Sequence, residues 1–243
     1  MVEGSIPYMK KRTAVIGALV SLMPLGQTVL VGTGVVLTSA GVMLSVPETA
    51  QAESAIYYYN RGNKKFSMKD YYGAISDYTK AVEINPNLVQ PYGSMCGAKV
   101  NIGMNEEAVD DCNKALSLSS SNQLTNSDRA MIYANLCGAN LNLGVHKDTI
   151  KDCTKALVFN PQNDLAFYNR GSAKIQLNDN YGAISDINQA IDLNPKSNFI
   201  SWYYLNRGIA KENIGDLQGA CLDWREASYG GDQDAARYVR NQC

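Results

Sequence analysis

The chain has 243 residues with 22 Lys+Arg against 23 Asp+Glu, so no basic excess exists to neutralise phosphates and nucleic acid is excluded as a partner on charge. Apolar residues at 45% and charged residues at 19% describe a chain that folds, not a disordered one. One histidine leaves multi-histidine metal sites and most histidine-based catalysis without their parts.

Lys10, Lys11 and Arg12 form a positive run, and no further charge occurs until Glu48. The interval is rich in Ala, Val, Leu, Gly and Ser, and it ends in small residues at Ala50 and Ala52. A positive start, an apolar stretch and an A-x-A site read as a secretory signal peptide over residues 1–52, with cleavage after Ala52. Met9, just before the lysines, is a second candidate start. The apolar stretch exceeds the usual ~7–15 residues of a signal. Val29 to Val46 carries no charge, and at ~1.5 Å per residue it is about long enough for a helix that spans a bilayer. The alternative is therefore an uncleaved single-pass anchor, with membrane contact confined to residues 13–46. A buried helix of a cytosolic protein is the remaining reading. Both leading readings place residues 53–243 outside the cytoplasm.

Beyond the leader the sequence repeats. Tyr59-Asn-Arg-Gly62, Tyr168-Asn-Arg-Gly171, Leu205-Asn-Arg-Gly208 and the related Asn135-Leu-Cys-Gly138 open units. Gly73-Ala-Ile-Ser-Asp-Tyr-Thr-Lys-Ala81 recurs in altered form up to Ala115, Ala156, Ala190 and Ala227. Asn85-Pro86, Asn160-Pro161 and Asn194-Pro195 close three units, because the residue before proline avoids helical geometry. Apolar residues such as Ile75, Tyr78 and Val82 keep helical spacing. A period near 34 residues with small residues at fixed places and a closing proline resembles the tetratricopeptide repeat (TPR) family. The resemblance implies an all-α solenoid of stacked antiparallel helix pairs. Its five repeats fall at about 55–88, 89–122, 130–163, 164–197 and 201–234, within 55–234, and a capping helix follows at 232–243. Extra residues interrupt the pattern around Ser117–Ser127 and around Lys196–Phe199.

With each repeat numbered from its first residue (Ala55, Val89, Ala130, Asp164, Ser201), Cys96 and Cys137 occupy position 8, and Cys112 and Cys153 position 24. The other repeats hold Gly62, Gly171 and Gly208 at position 8, and Tyr78, Ile187 and Trp224 at position 24. Cysteine thus occurs at both places or at neither. The two positions flank the turn equally, so they lie level on antiparallel helices. Pairs Cys96–Cys112 and Cys137–Cys153 are expected, each stapling its own hairpin, and Cys221 with Cys243 is expected to tie down the cap. Buried free thiols are the alternative, which explains each cysteine singly but not the pairing.

In TPR arrays the concave face, built from the first helices, holds peptides or partner proteins. That resemblance nominates Tyr59, Asn63, Phe66, Asn101, Asn142, Tyr168, Gln176, Trp202 and Asn213 as groove residues. Rows of amides at positions 6 and 13 suit the backbone of an extended peptide. The bland alternative makes position 6 a bridge between repeats and position 13 a solvated edge. No basic residue stands at position 5, so the carboxylate-gripping form of the groove is not expected. Asp77, Asp111, Asp152, Asp186 and Asp223 recur at position 23 and read as architecture, and no catalytic motif, metal spacing or cofactor loop is present. The expected function is a non-enzymatic scaffold or assembly factor that binds an unidentified protein or peptide. It would act in a periplasm or a thylakoid lumen, since the repeats resemble those of photosynthetic and Gram-negative-type bacteria. A homotypic structural protein of the envelope is the alternative.

Overall fold

The computed structural model describes residues 29–31, 35–37, 43–45, 48–118 and 124–243. The chain divides into two compact units, Met1–Ile56 and Tyr57–Cys243.

In the first unit the described residues form a three-stranded antiparallel sheet in sequence order, β1 (Val29–Val31), β2 (Val35–Leu37) and β3 (Met43–Ser45). Val29 pairs with Leu37, and Val35 with Ser45. This corrects the expectation that Val29 to Val46 runs as one helix. The stretch is rich in β-branched valine and broken by glycines, a composition that suits short strands better than a long helix. Among the described residues no helix is long and apolar enough to cross a membrane. The positive run Lys10–Arg12 lies outside the described residues. Ala52, the expected cleavage position, lies within α1 (Glu48–Ser67).

The second unit is helical. The described residues from Glu48 onward form five helix–turn–helix hairpins and a terminal helix. The hairpins are α1 with α2 (Tyr71–Ile84), α3 (Val89–Asn101) with α4 (Asn105–Leu118), α5 (Asn126–Asn142) with α6 (His146–Phe159), α7 (Asp164–Gln176) with α8 (Asn180–Leu193), and α9 (Ile200–Asn213) with α10 (Leu217–Tyr229). The terminal helix is α11 (Gln233–Gln242). The sequence writes the turns. Position 15 is left-handed in every hairpin: Lys69 at φ 61°, Gly103 at 79°, Gly144 at 72°, Asn178 at 61° and Gly215 at 84°. The next residue then returns its N–H to the carbonyl of position 11, as from Asp70 to Lys65 and from Asp216 to Lys211, which satisfies the end of the first helix. Asp70, Asp179 and Asp216 cap the second helix by accepting from the N–H of Gly73, Gly182 and Gly219. Asn85, Asn160 and Asn194 end the second helices in non-helical geometry before their prolines.

The third hairpin departs from the 34-residue unit at its start. The chain after α4 returns through buried Leu124, and Thr125 with Asp128 forms a capping box. This lengthens α5 to 17 residues, where α3 and α7 have 13. Consecutive helices pack together from α2 through α11, and the first helices of neighbouring hairpins also touch, α3 on α5, α5 on α7 and α7 on α9. These first helices make a continuous wall. Each hairpin contributes alanines of zero exposure to the core, such as Ala74, Ala108, Ala156, Ala183 and Ala220, where the helices approach most closely. Helix α11 closes the last hairpin with Ala235 buried and Tyr238 stacked 4.6 Å from Trp224.

Candidate functional site

Two different fasteners hold the hairpins. In the first, fourth and fifth, position 7 is arginine, position 11 lysine and position 23 a buried aspartate. Arg61 Nε donates to Asp77 at 2.8 Å, and Lys65 Nζ stands 2.8 Å from the same carboxylate. Arg170 and Lys174 hold Asp186 at 2.7 and 2.8 Å, and Arg207 and Lys211 hold Asp223 at 2.6 and 2.9 Å. Beside each arginine a glycine receives the side chain of position 24. A Cβ on Gly208 would lie 2.4 Å from Trp224 Nε1, one on Gly62 2.5 Å from Tyr78, and one on Gly171 2.8 Å from Ile187.

The second and third hairpins replace this arrangement. Position 7 is Met95 or Leu136, and disulfides join Cys96 to Cys112 (Cα–Cα 5.4 Å) and Cys137 to Cys153 (Cα–Cα 5.0 Å). A third bridge joins Cys221 to Cys243, 5.7 Å apart at Cα. Without arginine, the aspartates are less well met. Lys99 Nζ stands 2.6 Å from Asp111 Oδ2 as an ion pair outside hydrogen-bond angles, and Asp152 accepts from Asn140 Nδ2 at 3.0 Å. Burial pushes both carboxyls above their ordinary value. The Arg61 hydrogen bond instead lowers Asp77 to about 2. The five aspartates therefore have partners that account for their recurrence. Among the described residues no three His, Cys, Asp or Glu side chains are grouped to hold a metal ion. The arginine at position 7 and its absence beside the cysteines were legible in the aligned repeats, in the Asn-Arg-Gly triplets themselves, and the reading of the cysteines alone passed them over.

The nominated groove residues are distributed along the wall, and several are committed to one another. Tyr59 is half-buried with its ring 6.0 Å from that of Tyr78, whose hydroxyl donates to Asn63 Oδ1 at 2.8 Å. Phe66 meets Tyr71 edge-on at 5.4 Å. Tyr168 lies 4.8 Å from Tyr203, its hydroxyl accepts from Asn206 Nδ2 at 3.1 Å, and burial pushes that hydroxyl up. These side chains form the floor of the wall more than its free surface. The amides divide. Asn142 Nδ2 donates to Asn105 Oδ1 at 3.1 Å, Asn213 Nδ2 to Asn180 Oδ1 at 3.0 Å, and Asn206 also to Ser172 Oγ at 2.9 Å, all between adjacent hairpins. Asn101 bonds back to the carbonyl of Gly97. Asn142, Asn206 and Asn213 of these rows are thus mortar between repeats. Gln176 is exposed, and Trp202 is 51% exposed with its ring 5.2 Å from Phe199.

Position 2 carries exposed apolar side chains, Met131, Leu165 and Trp202, on three successive first helices. Beside Met131 the wall opens into a cleft of about 500 Å³ between the start of α5 and the turn from α6 into α7. Ala134, Asn135, Phe159, Asn160 and Asn163 line it with Met131. Position 5 is alanine here, where the first and fourth hairpins carry Tyr59 and Tyr168.

A family model described as tetratricopeptide repeat matches residues 55–88, and a second of the same description matches residues 165–197. A small glutamine-rich tetratricopeptide repeat-containing protein 2 of Mycosarcoma maydis is 43% identical over 54 residues, which are 22% of this chain and 15% of that protein. The chain thus spans a small part of that relative's length. Among solved structures, MamA is similar with a TM-score of 0.60 and 22% identity over 79% of this chain and 97% of that one. YrrB, described as a TPR protein with an unusual peptide-binding site, gives 0.62 and 20% identity over 77% and 92%. Likeness at this identity shows the fold. With the hairpin geometry it shows a solenoid of the tetratricopeptide-repeat fold, in which residues 55–88 and 165–197 match the family's own models.

Proposed function

We propose that this protein is an exported interaction scaffold whose wall of first helices holds a segment of a partner protein. The observation that carries the reading is the row of exposed apolar side chains Met131, Leu165 and Trp202 at one place in successive repeats. Exposed aromatic and thioether side chains supply large contact area at low entropic cost. The three disulfides, four of whose cysteines have zero exposure, support an oxidising compartment, a periplasm or a thylakoid lumen, with the leader removed near Ala52. Residues 55–234 are read as five repeats and α11 as their cap.

A photo-cross-linking amino acid placed at Trp202, at Leu165, or at Lys151 on the opposite helix layer tests the wall in the native cell. A partner captured from positions 202 and 165 but not from 151 is expected. Equal capture from all three removes the groove reading, and capture of only the protein itself replaces it with a homotypic one. Intact mass with and without reductant tests export. Loss of residues 1–52 and a gain of about 2 Da per bridge on reduction are expected, and six free thiols in native material would return the protein to the cytoplasm.

A further inference from the structure

We infer that the cleft at the third repeat is a selectivity site, which takes one bulky apolar side chain of an extended uncharged protein segment and hydrogen-bonds the carbonyl oxygens beside it. The inference rests on the wall being the binding face.

The lining decides the chemistry. Among the described residues none that lines the cleft is charged, so a Lys, Arg, Asp or Glu side chain entering it would lose water without gaining a counter-charge. A volume of about 500 Å³ is within the usual range for a ligand pocket. Its apolar surfaces are Met131, 44% exposed, with the methyl groups of Ala130 and Ala134 and the ring of Phe159. That ring is fixed by parallel stacking on Tyr133, with centroids 6.0 Å apart and planes 2° from parallel. Of the four polar side chains that line it, Ser127, Asn135, Asn160 and Asn163, the last two are biased toward donation. Asn160 Oδ1 accepts from the N–H of Gln162 at 3.1 Å, and Asn163 Oδ1 accepts from the N–H of Ala166 at 3.0 Å. Each oxygen already takes one hydrogen bond in building the turn, while both Nδ2 groups keep their donors for a ligand. A peptide backbone beside a seated side chain presents carbonyl acceptors to such donors. Neutral donors suit a neutral carbonyl, and among the described residues that line the cleft none is a cation to meet a carboxylate.

The test uses the full chain with its bridges intact and four soluble twelve-residue peptides. They share one Gly/Ser/Gln/Thr host and differ at a single central residue, which is Phe, Leu, Ala or Lys. Binding is read from the side-chain amide signals of Asn160 and Asn163 and the indole signal of Trp202 in nitrogen-15 spectra, which report millimolar affinities. The Phe and Leu peptides are expected to shift the asparagine signals at concentrations at least about tenfold below the Lys peptide. Ala134→Tyr supplies the side chain that the first and fourth repeats already accommodate, and it is expected to abolish the shifts. Asn163→Asp keeps the helix cap and replaces the donors with an acceptor, and it is expected to weaken the Phe peptide by up to about tenfold while the fold is unchanged. Equal shifts by the Phe and Lys peptides, or full binding by Ala134→Tyr, overturn the inference. If the peptides move Trp202 but not the asparagines, the cleft is lost and the wall reading stands. If no peptide moves any of these signals, the cleft proposal falls too.

Discussion

Position 15 of the hairpins is decided by backbone geometry alone. Glycine stands there at Gly103, Gly144 and Gly215, where φ is positive without cost, but the first hairpin places Lys69 at φ 61°. A left-handed non-glycine residue costs roughly 1–2 kcal/mol, partly offset by the lower entropy of its unfolded chain. Lys69→Gly should therefore stabilise the first hairpin by about 0.5–1 kcal/mol, read from denaturant unfolding. Position 8 makes the opposite demand. Gly208→Ala puts a methyl 2.4 Å from buried Trp224 Nε1, with the ring held by Tyr238 behind it. A loss of about 1–3 kcal/mol is expected, and a neutral result would mean that the indole moves freely.

The hairpins as elements show one mechanical problem solved in two ways. Antiparallel helices must be held level, either by an arginine–aspartate–lysine clamp beside a glycine filled by a large side chain, or by a disulfide that replaces both partners of that contact. Each bridge closes a sequence separation of 16 and should contribute about 3 kcal/mol in the chain-entropy account. Cys137→Ala with Cys153→Ala should lose most of that. Leu136→Arg, Cys137→Gly and Cys153→Ile together copy Arg170, Gly171 and Ile187, and should recover part of it in thermal melts. The acidic groups carry the pH dependence. Asp77, lowered from 3.8 to about 2, contributes stability that is complete above its unfolded value and is lost as pH falls through about 2. Asp152 and Asp111 are raised, so their charged forms oppose folding at neutral pH and stability grows as pH falls from the raised value toward 3.8. Asp152→Asn, which can still accept from Asn140, should melt higher than the parent at pH 7, and the gap should narrow as pH falls toward 3.8.

Over the whole helical unit, neighbours hold neighbours, so a local change in fastening stays local. Reduction should speed amide exchange in α3–α6 while α7–α9, which contain no cysteine, keep their protection. Uniform acceleration would mean that the array opens as one block. The wall follows from the same stacking. Because α3, α5, α7 and α9 touch in series, any residue type at one position becomes a row.

How much of this the chain announces depends on whether the cause is local or shared. Helix ends, turns and period were legible because each is set within a few residues, by Asp70, Asn85 and Pro86 or by Gly103. The pairing of cysteines was legible because positions 8 and 24 flank the turn symmetrically in every unit. The strands at Val29–Ser45 were missed because apolar composition alone does not separate a spanning helix from valine-rich strands. The roles of the amides and tyrosines were decided only by tertiary structure. Asn142, Asn213 and Tyr168 are polar and helical by sequence, and it is the adjacent repeat, 33 to 38 residues away, that takes up their hydrogen bonds. The cleft arises in the same way. Ala134 is an ordinary small helical residue until stacking brings it to one cleft with Phe159, Asn160 and Asn163 of the α6–α7 turn. The sequence by itself determines the repeat and the fasteners of each hairpin, since those forces act within one unit. Only the packed array decides which of its surfaces remain open, since that depends on what the neighbouring unit covers.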